Sequence, residues 1–329
     1  MKKFNLLKMP VTFTDESLDQ FYTSFNNEEV KKVAEVFIKN VKATYSMLSL
    51  PVIYVNLATV SLQFEMYQLT TILADGFSLE QAYNLMKLPP GSREKISFRV
   101  MEQLEKDRRS PEDGEARKNQ LAKIIREVTN NEAISSGIQA LAYSAITFSW
   151  TSFESMAGDL WVSLVNNNPH EFGDKAFNLP VSEQAKQRGE IAAKQPEGLA
   201  NKLIEYRFLA EHDFDLKNKM GTILRDKFDF TGVYGVITAY STIFPEKRAD
   251  FSRILDKKEL KLLMKTRNLI VHKAGIVDNV YQKETREFDP PSMELGKPLF
   301  LDEQETANFV DTGIKAGIEL ISFIDNLMA

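Results

Sequence analysis

The chain has 329 residues, a formal net charge of −5, 43% apolar residues and 26% charged ones. That is the profile of a soluble globular protein with apolar material for a sizeable core, and it excludes wholesale disorder. Cysteine is absent, which removes disulfide frameworks, thiolate metal sites and Cys nucleophiles and fits a reducing, cytoplasmic setting. Turn punctuation is sparse, with 15 glycines and 12 prolines, so an all-α helical bundle is expected in place of a turn-rich β fold.

At the N-terminus, Lys2, Lys3, Lys8 and Pro10 interrupt the apolar residues too early for a secretory core. Apolar residues then recur at helical spacing over Val30–Leu48, Val52–Ala74, Leu79–Leu85 and Ile96–Leu104, separated by Leu50-Pro51, Asp75-Gly76 and Pro89-Pro90-Gly91. These segments predict an N-terminal bundle. The second is long enough to span a bilayer, but Asn56, Gln63, Glu65 and Gln68 lie within it, so a buried helix is expected and no membrane span.

The charged run Lys106–Glu115 carries Pro111 and Gly114 and reads as a linker, followed by a helix over Arg117–Val128. The expected division is therefore an N-terminal helical region 1–110, a connecting segment 111–130 and a C-terminal domain 131–329. Within the last, a long helix from about Ala133 to Val165 precedes a polar loop, Asn166–Pro180, and helices over Ser182–Lys194, Leu199–Phe208 and Leu216–Phe228. Asp256 with Glu259, and Asp302 with Glu305, are spaced as capping boxes opening the last two helices. Gly275 suits the end of the first of these. Ile314, Gly317, Ile318, Ile321, Phe323 or Ile324, and Met328 form the apolar stripe of the other. Between them Gly296–Leu301 reads as a short extended piece.

Two of these helices carry chemistry. On a helical wheel of Leu260–Lys273, Leu260, Leu263, Met264, Ile270 and Val271 share one arc, and Arg267 falls inside it. A core-facing guanidinium cannot shed its charge and needs a carboxylate or an anion. His272 lies one turn beyond Asn268, and Lys265, Lys261 and Lys258 precede it along the same flank. From Lys257 to Lys273 the chain has six basic residues and one acidic residue, a basic stretch in an acidic protein. The plain alternative is a solvated basic face. The helix Ala133–Val165 has one stripe of Ile134, Ile138, Leu141, Ala145, Phe148 and Met156, and another of Tyr143, Trp150 and Trp161, with Glu154 between the tryptophans. A helix apolar on both sides belongs at the centre of its domain. There Glu154 is a desolvated carboxylate whose natural partner is Arg267, either as an inert core ion pair or in support of a site.

Arg267-Asn268-Leu269-Ile270-Val271-His272 resembles the R-N-x-x-x-H form of the signature of the HEPN superfamily. The following Lys273 to Asp278 with Tyr281, and Ser152-Phe153-Glu154 upstream, share that likeness, which covers about residues 131–329. It implies an α-helical domain and metal-independent endoribonuclease activity, in which a 2′-hydroxyl attacks the adjacent phosphate and leaves a 2′,3′-cyclic end. In that role His272 moves protons, Arg267 stabilises phosphoryl charge, Asn268 orients His272 or the substrate and Glu154 fixes Arg267. Lys258, Lys261, Lys265, Lys273 and Tyr281 would contact a local, selective RNA target. The resemblance further implies a homodimer pairing two motifs, no cofactor or metal, a toxin or phage-defence role, and an antitoxin or regulatory protein as partner. Many members of this superfamily lack catalysis, so a module that only binds a nucleotide, RNA or protein is the alternative.

Two further constellations are poorer. Glu211-His212-Asp213-Phe214-Asp215 is too local to converge on one metal ion, and His170 reads as a loop residue. No P-loop, G-x-S-x-G or H-E-x-x-H motif occurs.

Overall fold

A computed structural model describes residues 13–87, 97–100, 132–177, 215–288 and 290–329. The fold is all-α. Its helices are α1 (Asp15–Thr23), α2 (Glu28–Ala74), α3 (Leu79–Met86), α4 (Glu132–Asn167), α5 (Leu216–Leu224), α6 (Val233–Ile243), α7 (Arg248–Leu255), α8 (Lys258–Lys273), α9 (Asn279–Thr285) and α10 (Glu303–Met328). Among the described residues the β content is one antiparallel bridge, Ile276 to Pro298. The expected linker, the helix Arg117–Val128, the helices Ser182–Lys194 and Leu199–Phe208, and the Glu211–Phe214 part of the acidic cluster lie outside the described residues.

The chain forms two compact units, one of residues 1–9 and 47–140, the other of residues 10–46 and 141–329. This differs from a division near residue 110: the segment 10–46 groups with the C-terminal helices. The physical reason is its contacts with α10, where Tyr45 donates to Asp311 at 2.7 Å and Phe37 lies against Gly317, while α2 itself runs through Pro51, where the sequence predicts a break. A proline in a helix interior removes one backbone hydrogen bond, and here the helical apolar spacing continues on both sides of it.

In the first unit α3 opens with a capping box in which Ser78 and Gln81 exchange hydrogen bonds. Gln68 is buried and donates to Ser97 Oγ at 3.2 Å, so a polar residue of the most apolar segment is satisfied inside protein. No helix among the described residues is long and apolar enough to cross a membrane.

In the second unit α4 is central. Ala145 and Met156 on one side and Trp161 and Val165 on the other are buried, as a helix apolar on two faces requires. Helix α10 packs closely because two glycines permit it. A Cβ on Gly313 would lie 2.5 Å from Ser149 Oγ of α4, and one on Gly317 would lie 2.3 Å from the Phe37 ring of α2. Its inward stripe includes Ile314, Leu320, Ile321 and Ile324, so Ile324 takes the core position that Phe323 competes for. Asp325, near its C-terminal end, is buried and accepts the backbone N–H groups of Asn26 at 3.1 Å and Asn27 at 2.9 Å. The carboxylate thereby satisfies two donors at the entrance to α2, where no earlier helical turn supplies an acceptor.

The capping box of α10 forms as its sequence predicts, with Asp302 and Glu305 each accepting the other's backbone N–H at 2.8 Å. The box expected at Asp256 and Glu259 does not form. Asp256 ends α7, Lys257 is the cap of α8 without a side-chain capping bond, and Asp256 pairs with Lys261 instead. Only two residues, Asp256 and Lys257, separate the helices, and Asp256 is occupied as the cap that ends the first. Residues 169–177, expected as loop, form a π turn Pro169–Gly173 and a helical turn Asp174–Phe177. Pro169 opens this turn at a position where the missing N–H costs nothing.

Candidate functional site

Helix α8 is held by three neighbours. Leu263 meets Gly313 of α10, Thr266 bonds Tyr281 of α9, and Met264 lies against Gly232 just before α6. These contacts set its orientation. Leu260, Leu262, Leu263, Thr266 and Leu269 are buried, Ile270 is half-buried and Val271 is 48% exposed. The buried arc is thus rotated away from Val271 relative to the expected one, and Arg267 stands on its edge. The helix ends at Ala274 and Gly275, both with positive φ (52° and 76°), and the Gly275 N–H returns to Leu269 O at 3.2 Å. Gly275 is needed twice over: a Cβ there would also lie 2.5 Å from the Tyr143 ring. The extended piece after Leu295 forms as expected, with Val277 and Lys297 bonded at 2.9 Å, while Tyr143 donates to Leu299 O at 2.5 Å.

Arg267 reaches α4. Its guanidinium is 3.9 Å from Glu154, both side chains being 20% exposed, and Nη1 donates to Asn268 Oδ1 at 3.1 Å. Burial pushes the Glu154 carboxyl above its ordinary range, and Asp229 adds to the push. Arg267, Arg225 and the Trp150 indole act in the opposite direction. The ion pair is long, and three buried groups around it lack hydrogen-bond partners among the described residues: Trp150 Nε1, Glu154 Oε2 and Arg267 Nε.

His272 is exposed and has no hydrogen-bond or ion-pair partner among the described residues. Five residues at about 100° each turn its side chain by roughly 140° from that of Arg267. Arg267 and His272 therefore leave the helix in different directions, one inward and one to solvent. Asn268, half-buried, lies between them: it touches Arg267 directly and precedes His272 by one turn.

The lysines separate into two kinds. Lys261 pairs with Asp256, and Lys265 pairs with Glu284 at 2.6 Å. Lys257 also pairs, with Glu319 at 2.5 Å. Much of the basic stretch is neutralised by carboxylates from other elements, which a count along one helix cannot register. Lys258 and Lys273 are exposed and have no such partner among the described residues. Tyr281 does not reach a surface. It is 4% exposed, its hydroxyl shares a hydrogen bond with Thr266 at 2.8 Å, and burial pushes it up to about 12. It is a core residue joining α9 to α8, and an RNA contact there is corrected accordingly.

Two groups beside Glu154 carry no signal in the local sequence. Asp229 sits in a turn where its carboxylate accepts from Thr231 N at 2.9 Å. Arg225 lies against Gly158, whose added Cβ would be 2.8 Å from the guanidinium, and pairs with Asp159 at 3.4 Å. Only the approach of the segment 225–229 to α4 brings them near. Trp161, the other tryptophan flanking Glu154 in sequence, packs on Phe228 and donates to Ala239 O at 3.0 Å. His170 is exposed on the π turn. Comparison with protein-family models, curated proteins and solved structures gave no match.

Proposed function

We propose that the chain is a metal-independent endoribonuclease of HEPN type, acting in the cytoplasm as a toxin or defence effector. The observation that carries the reading is the division of labour on α8. Arg267 is held at the edge of the core by Glu154 and Asn268, while His272 stands free one turn beyond Asn268. A fixed permanent cation and a free imidazole on one helix are the two groups that in-line transesterification uses, for charge stabilisation on phosphoryl oxygens and for proton transfer; because they leave α8 in different directions, the reading needs a second copy to bring the two kinds of group to one phosphate. In the reaction a 2′-oxygen bonds to the adjacent phosphorus and the bond to the 5′-oxygen breaks. One proton leaves the 2′-hydroxyl and one is delivered to the departing 5′-oxygen.

Removing one proton and supplying another is most direct with two imidazoles, and each chain offers His272 alone in this motif. The reading therefore includes a homodimer that places two motifs in one cleft. Val271, Ile276, Val280 and Leu295, all exposed apolar residues, belong to the segment around His272 and are suited to such an interface. Neutralisation of Lys261 and Lys265 limits general attraction for polyanions, in keeping with a local and selective RNA target.

His272→Ala is the discriminating variant, because an exposed side chain without partners leaves stability within about ±0.5 kcal/mol. Purified protein with EDTA is expected to cut a mixed RNA pool to 2′,3′-cyclic phosphate ends, and His272→Ala is expected to lose that cleavage with an unchanged melting temperature. Equal cutting by His272→Ala rejects the reading. Salt-sensitive RNA binding with RNA left intact after long incubation points to the non-catalytic module instead.

A further inference from the structure

Tyr234 is an aromatic side chain left open to solvent in the second unit, beside the helix that carries Arg267 and His272. It is 61% exposed in the first turn of α6. Exposure of an aromatic ring is unfavourable by itself, and the surroundings hold this one in place. Val233 before it is fully buried, and Gly235 after it lies so close to the Asp229 carbonyl that an added Cβ would be 1.7 Å from that oxygen. The first turn of α6 is therefore locked against the preceding loop. The Lys261 ammonium of α8 lies 5.1 Å from the ring centroid and is itself held by Asp256. The backbone beneath the ring is thus fixed, and the Lys261 ammonium lies over the ring itself, which limits the freedom lost when a flat partner joins it.

Lys258 is exposed and unpaired among the described residues. It precedes Lys261 by three positions, so both occupy one flank of α8. A ring that is 61% exposed, with the Lys261 ammonium over it and Lys258 one turn before that lysine on α8, has the two parts of a single-strand contact, a surface for a base and a charge for its phosphate. His272 lies eleven residues beyond Lys261, about 16 Å along the helix axis at 1.5 Å per residue. That is a span of a few nucleotides.

We infer that Tyr234 stacks on an unpaired nucleobase of the bound RNA a few nucleotides from the scissile phosphate, with Lys258 taking a neighbouring phosphate. This rests on the ribonuclease reading for its ligand but not on cleavage. The experiment uses full-length protein and single-stranded oligonucleotides carrying 2-aminopurine at successive positions, with every 2′-hydroxyl methylated so that no cut can occur. Wild type is expected to bind and to quench the fluorophore at one register. Tyr234→Phe is expected to retain both properties. Tyr234→Ala is expected to lose the quenching and roughly tenfold in affinity, with an unchanged melting temperature as the control for folding.

Equal binding and quenching by Tyr234→Ala overturns the stacking and leaves the cleavage reading standing. Loss of binding by Tyr234→Phe overturns it as well, since the ring would then not be the contact. Dependence on Tyr234 in a protein that never cuts natural RNA supports the stacking and rejects the cleavage. Absence of binding by wild type rejects both.

Discussion

Replacing Arg267 by Ala removes the cation beside a carboxylate whose side chain is four-fifths buried. Two unit charges about 4 Å apart interact by roughly 4 kcal/mol at an effective dielectric of about 20. The 3.9 Å separation without a direct hydrogen bond, and the 20% exposure of both side chains, reduce the net effect to about 1–2 kcal/mol. For a chain of this size that corresponds to a fall in melting temperature of roughly 1.5–3 °C.

The sign of its pH dependence follows from Glu154, whose folded-state value is raised by burial and lowered by Arg267. A carboxyl with a raised folded-state pKa stabilises the fold most when protonated, and that contribution is lost as pH rises through the folded value. Without Arg267 the value rises further, so the cost of an uncompensated buried carboxylate weighs more on the variant at about pH 7.5 than at about pH 5. Thermal melts at the two pH values should therefore show a larger deficit for Arg267→Ala at the higher one. Glu154→Gln introduced into Arg267→Ala should recover part of the loss there. An equal deficit at both pH values, or no recovery in the double variant, would refute the charge-pair argument and assign the loss to packing alone. The same reasoning explains why loss of cleavage in Arg267→Ala is ambiguous by itself and why His272→Ala is the cleaner functional variant.

Three further substitutions probe the framework around the site. Asp325→Ala strands the Asn26 and Asn27 N–H groups at the start of α2 and should cost about 1–3 kcal/mol in urea unfolding; an unchanged midpoint would show that water replaces the carboxylate. Gly275→Ala places a Cβ at φ 76° and 2.5 Å from the Tyr143 ring. It should lower the melting temperature by the equivalent of about 1–3 kcal/mol with an altered near-ultraviolet tyrosine signal, and an unaltered signal would contradict the close approach. Tyr281→Phe removes the hydroxyl shared with Thr266 and should cost about 1 kcal/mol of stability while RNA affinity stays at the wild-type value; reduced affinity without reduced stability would restore Tyr281 as a contact.

Much of the helical fold is legible along the chain because local chemistry decides it. The Asp302–Glu305 box, the glycine ending α8 and the two-sided apolar pattern of α4 act over a few residues each, and all three appear in the structure. Pro51 misleads because a single breaker is weighed locally, whereas a helix of 47 residues is set by the apolar spacing on either side of it.

The Arg267–Glu154 pair is also foreshadowed in sequence, since a buried guanidinium and a buried carboxylate need each other. What periodicity leaves open is the rotation of α8. The wheel identifies an apolar arc, but the contacts with α6, α9 and α10 decide that Thr266 and Leu269 turn inward, Val271 outward and His272 fully to solvent. Likewise Asp256, Glu284 and Glu319, which neutralise the lysines, come from different places along the chain. The sequence by itself determined the long helices α4, α8 and α10, the box that opens α10, the glycine that follows α8 and the presence of a charged pair in an apolar setting, because those depend on neighbours within one or two turns. Only the tertiary structure decided which charges remain free and which side chains meet solvent, because electrostatic compensation and burial depend on distance in space.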